Sequence, residues 1–210
     1  MMVLMDNLVI IEEVAITIKD VYDTFNAEFY SNLEELGNLK NIKRIKMDSE
    51  NLHWQFIETI IPSYVATLGD DSQLDKEVFS QLEMRYDFRY RVKLRETVFS
   101  KINYNIGRHR YVSKVLNNFF GSRVILPKIE NEQSELNELL RSLSEKRIVS
   151  RYYTRSDGNY RATHCYFQSD NRYFPWELPI RDKSREKQNQ FEHVRHVQER
   201  KTQKVGSQNV

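Results

Sequence analysis

The sequence predicts a mixed α/β fold, one sheet of about five strands with helices packed against it. Three observations predict it. Through the first 80 residues apolar side chains recur at three- and four-residue steps; near residue 84 the repeat shortens to two; beyond that, strand-like and helix-like stretches alternate before a closing hairpin. With 40% hydrophobic and 12% aromatic residues but only 4 Pro and 6 Gly, the 210-residue chain has the composition of one that folds around a core. We read one globular unit, with an acidic helical part over 1–83, a sheet-bearing part over 84–200 and a disordered polar tail over 201–210.

The elements follow in order. Val14, Ile18, Val21, Tyr22 and Phe25 share one helix face. Asp48 or Ser49 is placed to cap a second helix that carries Leu52, Phe56 and Ile60 and stops before Pro62. A third, over 72–82, carries Leu74, Val78 and Leu82. From 84 to 93 Tyr86, Phe88, Tyr90 and Val92 alternate with Arg85, Asp87, Arg89, Arg91 and Lys93, which describes a strand with a basic face. Residues 95–104 return to helix, with Val98 and Ile102 inward, and 123–126 form a second strand that Pro127 stops. Leu136, Leu139, Leu140 and Leu143 make 130–146 an amphipathic helix. Strands over 147–154, 161–167 and 173–180 complete the sheet, the first two joined by the turn residues 155–159.

No apolar run approaches the roughly 18 residues of a membrane helix, so a membrane span is excluded. The N-terminus lacks a basic start and a small-residue cleavage site, which points to a cytosolic chain. Cys165, the one cysteine, has no intramolecular partner and reads as a small packed hydrophobe. The net charge of +2 conceals a division: 6 Lys+Arg and 15 Asp+Glu fall in residues 1–80, 26 and 15 in residues 81–210. The basic part attracts phosphates, whether of a nucleotide, a nucleic acid or an anionic surface, and charge alone does not choose among them. His193 and His196 share a helix face but have no third ligand nearby, so a solvated helix is the better reading there.

Three clusters in the basic part sit at strand ends and strand–helix junctions, where mixed sheets place nucleotide contacts. Arg91, Lys93, Thr97 and Lys101 can grip a polyphosphate, Arg as a planar fork and Lys as a point charge. Asn118, Gly121 and Arg123 follow. The third cluster joins Gly158, Asn159, Tyr160, Arg161 and His164 to Trp176, Glu177, Pro179 and Arg181. In this order and spacing the clusters resemble the synthetase domain of the RelA/SpoT alarmone enzymes, in its single-domain small form, over about residues 84–200.

The resemblance implies a nucleotidyltransferase-like fold that moves the β,γ-pyrophosphate of ATP to the 3′-hydroxyl of GDP or GTP with Mg²⁺, making (p)ppGpp. It implies Arg91, Lys93 and Lys101 as phosphate cations, Tyr160 as the platform for the acceptor guanine, and His164 as a phosphate or acceptor contact. Glu177 becomes the carboxylate that holds magnesium and assists the 3′-hydroxyl, with Thr97, Arg123, Arg161 and Arg181 as further nucleotide contacts. Relatives of this type often form homo-oligomers. The sequence also departs from the pattern. Asn118 stands at the magnesium aspartate, and its amide lacks the charge that draws the ion from water. Pro179 replaces a glutamine, Asn159 a glycine, and Ser156 and Gly158 a lysine and an asparagine; Asp157 and Arg155 are the nearby candidates to replace the lost carboxylate and cation. Trp176 reads as packing. Two other readings stay open: a non-catalytic nucleotide- or alarmone-binding regulator, and a toxin-like transferase acting on ATP or the 3′ end of tRNA.

Overall fold

The computed structural model describes residues 6–31, 41–48, 56–70, 74–192 and 194–195; the expected helix start at Ser49, Leu52, His193, His196 and the tail over 201–210 lie outside them. Helix α1 (Asn7–Ser31) buries Ile11, Val14, Ile18, Tyr22 and Phe25 on the face the periodicity selects. A π-helical turn over Phe56–Ile60 runs directly into α2 (Ile61–Gly69), so Pro62 does not end a helix but sits in the first turn of the next. There its fixed φ suits the helix, and the change from π- to α-helix falls at the same place. Helix α3 (Lys76–Arg85) starts where Asp75 accepts the Val78 N–H at 3.2 Å, later than expected. It also runs further, because Arg85 pairs with Glu13 of α1 and the Tyr86 N–H closes onto the Leu82 carbonyl. Strand β1 is therefore shortened to Phe88–Val92.

Next come α4 (Arg95–Asn105), α5 (Val112–Val115), β2 (Phe120–Leu126), a 3-10 turn over Ile129–Glu132 and α6 (Gln133–Glu145). Arg147, at φ 60°, turns the chain out of α6, which delays β3 (Arg151–Asp157) by four residues relative to the sequence expectation. The five-residue turn also contracts. Asp157 still pairs with Tyr160 at the start of β4 (Tyr160–Phe167), leaving only Gly158 and Asn159 between them, with Gly158 at φ 59°. β5 covers Trp176–Asp182 rather than 173–180 because Pro175 offers no ladder donor. The chain is helical again at 186–192 and 194–195.

The five strands form one mixed sheet in the order β1-β2-β5-β4-β3, parallel only between β2 and β5. Pro179 sits in its central strand. The β2–β5 register shows the consequence, pairing Gly121 with Glu177 and resuming at Val124 with Ile180; the Ser122 hydroxyl donates to the Glu177 carbonyl at 3.0 Å within the interval.

One face of the sheet carries the core. Trp176 is fully buried, stacked on Phe120 at 4.3 Å and edge-on to Tyr22 at 5.2 Å. Its Nε1–H donates to the Tyr64 hydroxyl at 2.9 Å, which donates to Asn26 Oδ1 at 3.0 Å. Residues of α1 and α2 thereby share a hydrogen-bonded core with β5, and Trp176 is a packing residue. Tyr64→Phe would strand the Trp176 N–H and the Asn26 carbonyl in a dry interior. A loss of about 2 kcal/mol or more in urea unfolding is expected, and a change under ~0.5 kcal/mol would contradict the network. Among the described residues no helix is long and apolar enough to cross a membrane. Burial pushes the Cys165 thiol up, as for an inert core residue.

Candidate active site

The strand alternation that sends Trp176, Phe120 and Val124 into the core turns their neighbours to the opposite face. Arg89 and Arg91 of β1, Arg123 of β2, Glu177 and Arg181 of β5, Tyr160, His164 and Tyr166 of β4, and Tyr153 and Arg155 of β3 look into one cleft of about 920 Å³. Lys93, Lys101 of α4, and Arg110 and Lys114 from the segment after it complete a set of nine cations, against two carboxylates, Glu83 and Glu177. An excess of that size selects a polyanion. Arg123 and Arg181 make the demand sharper. Burial, and then the charge of Arg181, lower the Arg123 guanidinium below its ordinary value. The Nε atoms of both arginines are buried with no hydrogen-bond partner, and Arg181 has Glu186 at 3.6 Å. Two guanidiniums that repel each other, with Glu186 as the nearby carboxylate, favour an anion in the cleft they line.

Glu177 is the centre of the cleft's polar network, with only 13% of its side chain exposed. Burial alone would raise its pKa, but hydrogen bonds from His164 and Tyr166 and the charge of Lys101 outweigh that and hold it at about 2. An ionised carboxylate only accepts, so the roles around it are determined. His164 Nδ1 donates to Oε1 at 2.9 Å and the Tyr166 hydroxyl donates to the same oxygen at 2.7 Å. Having spent its proton there, Tyr166 accepts from the Tyr153 hydroxyl at 3.2 Å. On the other side the Tyr160 hydroxyl lies 2.9 Å from His164 Nε2. Oε2 meets the Asn118 amide N–H at 3.3 Å.

Asn118 links this carboxylate to the phosphate cations. Its Oδ1 accepts from Lys93 Nζ at 2.7 Å and Lys101 Nζ at 3.2 Å. The orientation is fixed, since a reversed amide would put NH₂ against two ammoniums and oxygen against a carboxylate. A magnesium ion between position 118 and Glu177 would meet an N–H where it needs an oxygen, beside two ammoniums. The residues present do not fit the ion in that cradle.

Comparisons with known proteins add little to this geometry. No family model and no curated protein matches the sequence. Among solved structures, the crystal structure of small alarmone synthetase 2 from Bacillus subtilis is similar, at 19% identity and a TM-score of 0.37, covering 69% of this chain and 80% of that one. A superposition that loose fixes neither residue correspondence nor activity.

Of the residues singled out in the sequence, Arg91, Lys93, Lys101, Asn118, Arg123, Tyr160, His164, Glu177 and Arg181 all line the cleft, and Arg155 with them. Thr97 and Arg161 do not. Thr97 is exposed in the first turn of α4, and Arg161, at the alternate β4 position, lies on the other face with its Nε 3.7 Å from Glu130. Asp157 pairs with Arg155 and is not part of the cleft lining. Tyr160 is not an open platform: it is 9% exposed, with the Arg155 and Arg181 guanidiniums 5.6 and 5.7 Å from its ring centre. The more open ring is Tyr153, 42% exposed and parallel to His164 at 5.6 Å. Tyr166 and Tyr153 escaped the sequence reading. The period of two from His164 was sufficient to place Tyr166, whereas Tyr153 depends on the β3–β4 register.

Proposed function

We propose that this chain is a RelA/SpoT-type pyrophosphotransferase, moving the β,γ-pyrophosphate of ATP to the 3′-hydroxyl of GDP or GTP. The observation that carries the reading is convergence. Motif residues spread from Arg91 to Arg181 meet in one cleft whose cations outnumber its carboxylates nine to two. In such a transfer the 3′-oxygen bonds to the β-phosphorus, the bond from that phosphorus to the bridging oxygen breaks, and AMP leaves with that oxygen. The chemistry asks for positioning and charge stabilisation more than for covalent help. Arg91, Lys93, Lys101, Arg123 and Arg181 supply fixed positive charge for the polyphosphate. Glu177, held at about 2, is too weak a base to deprotonate an alcohol in the ground state. The Oε2 lone pair that Asn118 does not engage orients the 3′-hydroxyl instead, and it takes the proton late, once bonding to phosphorus has acidified it.

Tyr160, His164 and Tyr153 form the aromatic side of the cleft, suited to the acceptor base. A second reading, a nucleotide- or alarmone-binding regulator without turnover, is favoured by one observation, the neutral Asn118 in contact with Glu177. Transfer of labelled pyrophosphate from ATP to GDP, GTP, ATP or tRNA separates the readings. Labelled guanosine product supports the transferase; calorimetric binding of GTP with no product supports the regulator; product only with ATP or tRNA as acceptor moves the chain to the toxin-like class. Tyr153→Ala, which removes the more open ring, is expected to weaken guanine-nucleotide binding about tenfold, and undiminished binding would remove that side from the acceptor site.

A further inference from the structure

We infer that this cleft takes its nucleotide polyphosphate as the metal-free anion, with the Lys93 and Lys101 ammoniums standing where a divalent cation would otherwise bridge position 118, Glu177 and phosphate. The inference rests on the reading of the cleft as a nucleotide site and departs from the magnesium dependence that the sequence resemblance implies.

The donor set argues for it atom by atom. A hard divalent ion needs several oxygens carrying negative charge, and it gives up its water reluctantly. Asn118 contributes no charge, and its one oxygen already accepts from both lysines, at 2.7 and 3.2 Å. Glu177 offers Oε1 to two donors, His164 and Tyr166, and Oε2 to the Asn118 N–H. To admit the ion, Asn118 would have to rotate. That would break the Lys93 bond and place an NH₂ group beside two ammoniums. Among the described residues no group of three or more His, Cys, Asp or Glu is arranged to hold a metal.

The charge that a metal would bring is already present. Lys93 and Lys101 meet at one amide oxygen, a neutral acceptor that itself removes none of their charge, and both line the cleft that a phosphate would enter. An aspartate at 118 would instead add a second carboxylate beside Lys101, whose charge already acts on Glu177. The guanidiniums of Arg123 and Arg181 line the same cleft. Ammonium and guanidinium groups can thus neutralise a triphosphate by direct charge-assisted hydrogen bonds. Asn118 is then an acceptor that holds two lysines in place without neutralising them.

The test is calorimetric binding of ATP and of GTP by the full chain, in excess Mg²⁺ and in EDTA. We expect wild-type affinity to agree within about twofold between the two buffers, and Lys93→Met to weaken binding about tenfold or more in both. Asn118→Asp, which creates a charged oxygen pair with Glu177, is expected to bind about tenfold more tightly with Mg²⁺ than with EDTA. Wild-type binding that is lost in EDTA and restored by Mg²⁺ overturns the inference while leaving the nucleotide site intact. Absence of ATP and GTP binding in both buffers overturns the nucleotide reading and the inference together. The wild-type comparison uses no variant, so a poorly folding Asn118→Asp cannot decide the matter.

Discussion

Glu177→Gln is expected to lower pyrophosphate transfer by about 10²- to 10⁴-fold with the fold intact. Glutamine keeps the volume, so the packing of β5 is undisturbed. It loses the charge and turns one of the two terminal oxygens into a donor. His164 Nδ1 and the Tyr166 hydroxyl both need an acceptor, which directs the remaining oxygen toward them. The new NH₂ then faces the Asn118 N–H, donor against donor, at a site where the present contact is 3.3 Å. Asn118 can relieve this only by turning its oxygen away from Lys93 and Lys101. The substitution therefore removes the group that orients the 3′-hydroxyl and also loosens two phosphate cations, so both kcat and KM should suffer. Tyr166→Phe deletes one donor to Oε1 and leaves the charge, and should cost about tenfold at most. Steady-state transfer with circular dichroism as a folding control checks the pair; full activity in Glu177→Gln would remove this carboxylate from the reaction.

Much of this arrangement is written locally in the chain. The change from a period near 3.6 to a period of 2 at β1 is a property of consecutive residues, so the basic face carrying Arg89 and Arg91 could be read before any fold was known. Helix α6 was equally plain, because Leu136, Leu140 and Leu143 repeat on one side and are buried. What could not be read depends on partners distant in sequence. The end of α3 moved into the expected strand because Arg85 found Glu13, 72 positions away. Tyr153 joined the site because hairpin register sets it opposite His164, and that register follows from the two-residue turn at Gly158. The chemistry of position 118 behaves in the same way. The sequence reveals a missing negative charge, whereas the meeting of Lys93 and Lys101 on the Asn118 oxygen arises from tertiary packing. Thr97 and Arg161 show the reverse error, since motif spacing places them in the pattern while helix phase and strand alternation carry them off the cleft lining.

Acid should destabilise this protein partly through the same carboxylate. Glu177 is held at about 2 in the folded chain and returns to about 4.5 when unfolding exposes it. Below 4.5 the unfolded chain binds a proton that the folded chain refuses until about pH 2, so protonation favours unfolding across that window. The stabilisation is fully present above about pH 4.5 and disappears as pH falls toward 2. Its size is on the order of 3 kcal/mol, a large fraction of the stability of an ordinary domain. Asp170 and Asp182 are also held below their usual values, by Arg172 and by Ser184 respectively, and act in the same direction. The wild-type curve alone cannot isolate Glu177. The difference between wild type and Glu177→Gln can, because glutamine does not titrate and the other carboxylates cancel. Urea unfolding between pH 3 and 5 should give two stability curves that converge as pH falls, with a difference in slope approaching about 1.4 kcal/mol per pH unit near the acid end. Parallel curves would mean that Glu177 titrates alike in both states, so that the hydrogen bonds from His164 and Tyr166 do no more than offset its burial.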